Sequence, residues 1–154
     1  MNNLDKELAI CSYNSTGFGL AAQNLMDKLL LFTDILCVQE HFLLDCNDKK
    51  YSNTDKMRAR FNNSHDMFIV PAKEDNSQVS RGRGKGGLAI LWKKSLTKYV
   101  TKVDCKNARL QAVKFQLPCT LDHPKKKLFL EIQNDQHVFL FQWTIETHRY
   151  QKKF

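Results

Sequence analysis

Strand, helix and strand follow one another within the first 40 residues, and that order restricts the topology more than any other feature of the chain. Leu8-Ala9-Ile10-Cys11-Ser12-Tyr13-Asn14 is apolar and turns polar at its end. After a glycine-containing turn from Ser15 to Gly19, the residues Ala22, Leu25, Met26, Leu29 and Leu30 recur at the spacing of an amphipathic helix. Asp34 then opens Ile35-Leu36-Cys37-Val38, a run without alternation that marks a strand buried on both faces, and the run ends in Gln39-Glu40-His41. A βαβ unit of this length predicts two parallel, neighbouring strands. Asn14 and Glu40 then finish at the same sheet edge, the carboxyl edge where sites in α/β folds gather.

Further along, residues 43 to 64 are polar and rich in Asn, Asp and Lys, a long loop with a short helix around Asp55 to Phe61. Met67-Phe68-Ile69-Val70 predicts a strand stopped by Pro71, and residues 73 to 87 a second loop. Leu88 to Trp92, Tyr99 to Val103 and Leu110 to Leu117 follow in quick succession, the spacing of an antiparallel meander. After Pro118 the pattern is weaker, although Leu128 to Ile132 and Val138 to Trp143 have strand character. The sequence therefore divides at 118, with residues 1–118 as one α/β portion and 119–154 as a divergent, strand-forming tail.

The chain has 154 residues, within reach of one domain, and a hydrophobic share of 42% that can build a core. Its longest apolar runs, Leu29 to Phe32 and Leu88 to Trp92, fall far short of the roughly 20 residues of a membrane span. The polar N-terminus has neither a secretory nor an Arg-rich transit pattern, so the expected setting is intracellular, nuclear or cytoplasmic, and not secreted. Five cysteines without a C-x-x-C pair argue against both a disulfide framework and a zinc clip.

Formal charge is +8, and seven basic residues with no acid lie between Asn76 and Val103. Arg81, Arg83, Lys85, Lys93 and Lys94 are the candidates for nucleic-acid contact, since clustered cations neutralise phosphates and steer polyanions. The competing reading is a solvated face. The glycine run 82 to 87 lacks the phosphate-loop spacing and precedes a strand, so its glycines shape a turn into a hairpin. Asn14 with Glu40 is the sharpest pair. One carboxylate and one amide at adjacent strand ends can hold Mg²⁺, which keeps several waters and takes one or two protein carboxylates. Alternatively, Glu40 only marks where the strand leaves the core. His65-Asp66 and Asp122-His123 are poor acid–base pairs, because neighbours on a strand point to opposite faces. Trp92 and Trp143 lie in apolar runs and are expected in the core.

Three stretches resemble the endonuclease/exonuclease/phosphatase superfamily, most closely the endonuclease domain of LINE-type non-LTR retrotransposons. They are Leu8 to Phe18, Asp34-Ile35-Leu36-Cys37-Val38-Gln39-Glu40, and Gly86-Gly87-Leu88-Ala89-Ile90-Leu91, in the family's order and covering roughly residues 7 to 118 together with the strand after Arg109. The resemblance implies a four-layer αββα sandwich, present here as an incomplete first half. It also implies Mg²⁺-dependent phosphodiesterase chemistry on DNA, with Glu40 as the metal-binding residue and Asn14 as the catalytic amide that helps order the site. Thr16 stands where members often carry an acid. No Asp-x-Asn occurs after Leu117, and Leu121-Asp122-His123 comes too early to match the family's terminal Ser-Asp-His. These departures imply a truncated, catalytically impaired copy that self-associates through exposed sheet surface. The alternatives are a non-catalytic nucleic-acid-binding module and a non-functional retrotransposon relic.

Overall fold

The computed structural model describes residues 8–45, 53–74, 84–106, 109–116, 125–133 and 139–146. Strand β1 (Ile10–Asn14) lies parallel to β2 (Ile35–Gln39), with Ile10 opposite Ile35 and Asn14 opposite Gln39. Helix α1 (Leu20–Phe32) connects them, completing the expected crossover. Ala22, Met26 and Leu30 are its buried stripe, four residues apart, while Leu25, counted into the stripe from spacing, sits at its margin and is exposed. Every residue of β2 is buried, as the unalternating run predicts.

Helix α2 (Thr54–Phe61) starts one residue before the expected segment, and β3 (His65–Val70) follows it. A short ribbon comes next, β4 (Lys73–Glu74) paired with β5 (Gly84–Lys85). Strand β6 (Leu88–Lys93) does not open the expected meander. It inserts antiparallel between β2 and β3, giving the order β1-β2-β6-β3. The reason is its composition: Leu88-Ala89-Ile90-Leu91-Trp92 is apolar on both faces, and only a central strand covered on both sides can bury that. The meander begins one strand later. After a 3₁₀ turn at Lys94–Tyr99, strands β7 (Val100–Val103), β8 (Leu110–Gln116), β9 (Lys125–Gln133) and β10 (Phe139–Glu146) pair antiparallel in sequence as a second sheet. The segment beyond residue 118 thus adds two strands to the sheet that β7 and β8 begin.

Alternation sorts the first sheet into two faces. Leu36, Val38, Met67, Ile69, Ala89 and Leu91 pack under Met26 and Leu30 of α1 and Met57 and Phe61 of α2. Phe18 meets Phe61 edge-on at 6.4 Å, and an Arg60–Asp27 ion pair ties the helices together. On the other face Ile35, Cys37, Ile90 and Trp92 meet Val113 and Phe115 of β8. The Gln111 amide crosses between the sheets to donate to the Phe68 carbonyl at 2.7 Å. Each large aliphatic fully buried here contributes about 1.5–3 kcal/mol. The layers are therefore helix, sheet, sheet, and both described α-helices cover the first sheet. This is a mixed α/β fold with three of the four expected layers among the described residues.

At the starting edge of β2 a single carboxylate joins three strands. Asp34 accepts from the Ala9 amide at 3.0 Å and pairs with Lys93 at 2.8 Å, and its own carbonyl accepts from the Lys93 amide. This clamp fixes the sheet opposite the edge that carries Asn14 and Glu40.

Candidate active site

The β1–β2 register sets Asn14 beside Gln39, one residue from Glu40, at neighbouring strand ends about 4.8 Å apart. Both side chains are half-buried. The backbone around them is strained: Thr16, Glu40 and Phe42 all hold left-handed φ angles of 45°, 55° and 58°. Each such residue costs about 1–3 kcal/mol and persists only where its surroundings impose it. Hydrogen bonds impose it here. Ser15 donates to the Gln39 carbonyl at 2.9 Å, Gly17 to the Glu40 carbonyl at 2.7 Å, and Phe42 to the Gly86 carbonyl at 3.0 Å. Asn14 Oδ1 closes a tight turn by accepting from the Thr16 amide at 3.1 Å. The Glu40 carbonyl is thereby held by Gly17 and the chain just after it by Gly86, and no described residue forms an ion pair with its carboxylate.

His41 underpins this arrangement. It is fully buried, and its Nδ1 accepts from the Leu43 amide at 3.0 Å. Nε2 must then carry the proton, which it donates toward the Leu88 carbonyl at 3.3 Å. Burial pulls its pKa down to about 4, so the ring is neutral near pH 7. Gly87 makes room for it: a Cβ there would stand 2.5 Å from the imidazole Cε1. His41 therefore links the residue after Glu40 to the Gly86-Gly87 motif 46 positions later, two stretches that the sequence shows only as separate signatures. Sequence reading missed it because a lone histidine in a polar run carries no periodic signal.

The glycine run enters the same edge. Gly84 donates to the Phe42 carbonyl, Ala72 donates to that of Leu43, and Gly84 has no space for a Cβ against Ala72 and Leu44. The β4–β5 ribbon is thus seated on the segment that follows Glu40. Its register places Lys73 directly opposite Lys85. Like charges at paired positions repel, and the pair forms a local anion-attracting spot beside the Glu40 edge. Lys73 escaped the sequence reading because Glu74 follows it, outside the acid-free window.

Of the other candidate cations, the two among the described residues do not gather here. Lys93 and Lys94 come at the far end of β6, roughly 17 Å from Leu88 along five strand steps. Lys93 is committed to Asp34, while Lys94 is exposed at the start of the 3₁₀ turn. Arg81 and Arg83 lie outside the described residues, as does Asp122-His123. Trp92 is buried, with its indole donating to Thr97.

No group of three or more metal-ligating side chains occurs among the described residues. The donor set at the edge, one carboxylate without a described ion-pair partner and one amide, suits a mostly hydrated Mg²⁺ and not a cage for a dehydrated ion. Cys11, Cys37 and Cys105 form no disulfide among the described residues, and burial pushes Cys37 up to about 12, so it is inert.

No family model matches the chain, and no curated protein sequence matches it significantly. Among solved structures, the chain is similar to the human Nocturnin catalytic domain with bound sulfate anion, at 15% identity and a TM-score of 0.43 over 80% of this chain. The chain spans about half the length of that domain, 48% of it.

Proposed function

We propose that the Asn14–Glu40 edge is the metal-holding part of an endonuclease-type phosphodiesterase site that acts on DNA. The observation that carries this reading is the strained Glu40, whose left-handed backbone is held by the Gly17 amide on its carbonyl and tied two residues on, through Phe42, to Gly86. Strain of this kind, imposed on a half-buried carboxylate at the carboxyl edge of a parallel strand pair, is typical of functional positions. Glu40 would hold Mg²⁺ directly, and Asn14 would orient the phosphate or a metal-bound water. When bound, the metal supplies charge stabilisation on the phosphoryl and leaving oxygens. Lys73 and Lys85 neutralise neighbouring phosphates of the strand. No Asp-x-Asn follows Leu117 within these residues, and without a general base of that kind the rate is lower by about 10²–10⁴-fold.

Nicking of supercoiled plasmid by the purified chain tests the proposal. Slow, Mg²⁺-dependent nicking that is lost in Glu40→Ala and in EDTA supports it. Nicking that survives in Glu40→Ala, or none from a folded wild-type chain, removes the catalytic reading. The latter result with retained, salt-sensitive DNA affinity leaves a binding module gripping DNA through the paired lysines.

A further inference from the structure

A cleft opens at the opposite end of the first sheet, where β3 and β6 meet the 3₁₀ turn and β7. Its volume is about 660 Å³, within the range of small-molecule sites. Arg58 of α2 and Lys102 of β7 line it from two different layers. Neither cation forms an ion pair with a described residue, and Lys102 lies 5.2 Å over the Phe68 ring instead. Asn62 and Thr101, both exposed, add an amide and a hydroxyl to the same walls. The one acid in the lining, Asp66, already accepts from the Thr97 hydroxyl.

His65 stands behind these groups with 6% of its surface exposed. Its Nδ1 meets the Ser64 hydroxyl at 2.8 Å, and its Nε2 is buried with no hydrogen-bond partner among the described residues. A buried ring nitrogen without a partner costs about 1–3 kcal/mol, which makes it an unsatisfied element of a cleft that is otherwise donor-rich. Met67, Trp92 and Val100 complete an apolar wall. Two cations, an amide and a hydroxyl against an apolar surface match a small ester carrying a dianionic phosphate, since Arg grips phosphate oxygens in a bidentate fashion and Lys as a point charge.

We propose that the cleft between Arg58 and Lys102 binds a small phosphate monoester, at a site separate from the Glu40 edge. The two lie at opposite ends of the same strands, so ligand there leaves the Glu40 edge uncovered. Isothermal titration of the full chain in EDTA, with adenosine monophosphate, glucose 6-phosphate, inorganic phosphate and succinate, tests it. The expected result is saturable binding of a phosphate ester, weaker binding of inorganic phosphate and none of succinate. The better of the two esters identifies the nucleotide or sugar source. Arg58→Ala and Lys102→Ala, both at exposed positions, each lower the affinity about tenfold or more, as loss of a charge-assisted bond requires, while Glu40→Ala leaves it unchanged. Succinate binding as tightly as the esters, affinity indifferent to both substitutions, or no saturable binding at millimolar ligand would overturn the proposal.

Discussion

Gly87→Ala is the most informative single change, because its effect depends on one other side chain. The new Cβ would lie 2.5 Å from Cε1, 2.7 Å from Nδ1 and 2.9 Å from Nε2 of His41, against an ordinary contact of about 3.5–4.0 Å. It would also force an L-residue to hold φ +92°. The backbone contribution is about 1–3 kcal/mol and the overpacking against the ring another 1–3 kcal/mol or so. His41→Ala alone removes the ring and strands the Leu43 amide and Leu88 carbonyl, at about 2–4 kcal/mol. In the double variant the ring is gone, so of the Gly87→Ala cost only the backbone strain remains, beside the His41→Ala loss. The double variant should be less destabilised than the sum of the singles by about 1–3 kcal/mol. Urea unfolding followed by tryptophan fluorescence at pH 7.5 measures all four corners of this cycle. Additivity within about 0.5 kcal/mol would show that Gly87 is not shaped around His41, and the account of how Glu40 is anchored would fail with it.

Two other outcomes follow from the same geometry. His41 has a folded pKa of about 4 against an ordinary 6.5, so the unfolded chain takes up the proton first as pH falls. Stability is fully present above about pH 6.5 and is lost progressively down to about pH 4, by roughly 3 kcal/mol. His65, lowered first by burial and then by Lys93, acts in the same direction. Chemical unfolding between pH 7.5 and 4 checks this, and His41→Gln should flatten most of the slope. At the ribbon, Lys73→Ala and Lys85→Ala should each weaken DNA binding and reduce the slope of log affinity against log salt by about 0.9, whereas Lys93→Ala should leave the slope alone. Filter binding at several salt concentrations separates the two ends of β6.

How much of this was legible beforehand depended on whether the signal was local. The βαβ unit was, because helical spacing from Ala22 to Leu30 and the unalternating Ile35 to Val38 each report their own surroundings. From it came the shared edge of Asn14 and Glu40, which the register of β1 on β2 reproduces. The position of β6 was less so. Its run from Leu88 to Trp92 lacks alternation just as β2 does, which is the mark of a central strand, but the expected meander rests on nearness to the next two strands alone. Within the basic window, Lys93 and Lys94 stand apart from Lys85 for a geometric reason. Counting charge along the chain ignores strand direction, and six residues of β6 carry Lys93 and Lys94 to the edge away from Lys85. His41 and Lys73 were invisible because each acquires its meaning from a partner distant in sequence, Gly87 for one and Lys85 for the other.

Binding of a divalent metal by Glu40 is tested most directly by Mn²⁺ titration followed by electron paramagnetic resonance. The expected result is one Mn²⁺ per wild-type chain, displaced by Mg²⁺, and loss of that site in Glu40→Ala with the unfolding midpoint otherwise retained. Equal Mn²⁺ binding by the two proteins would contradict it.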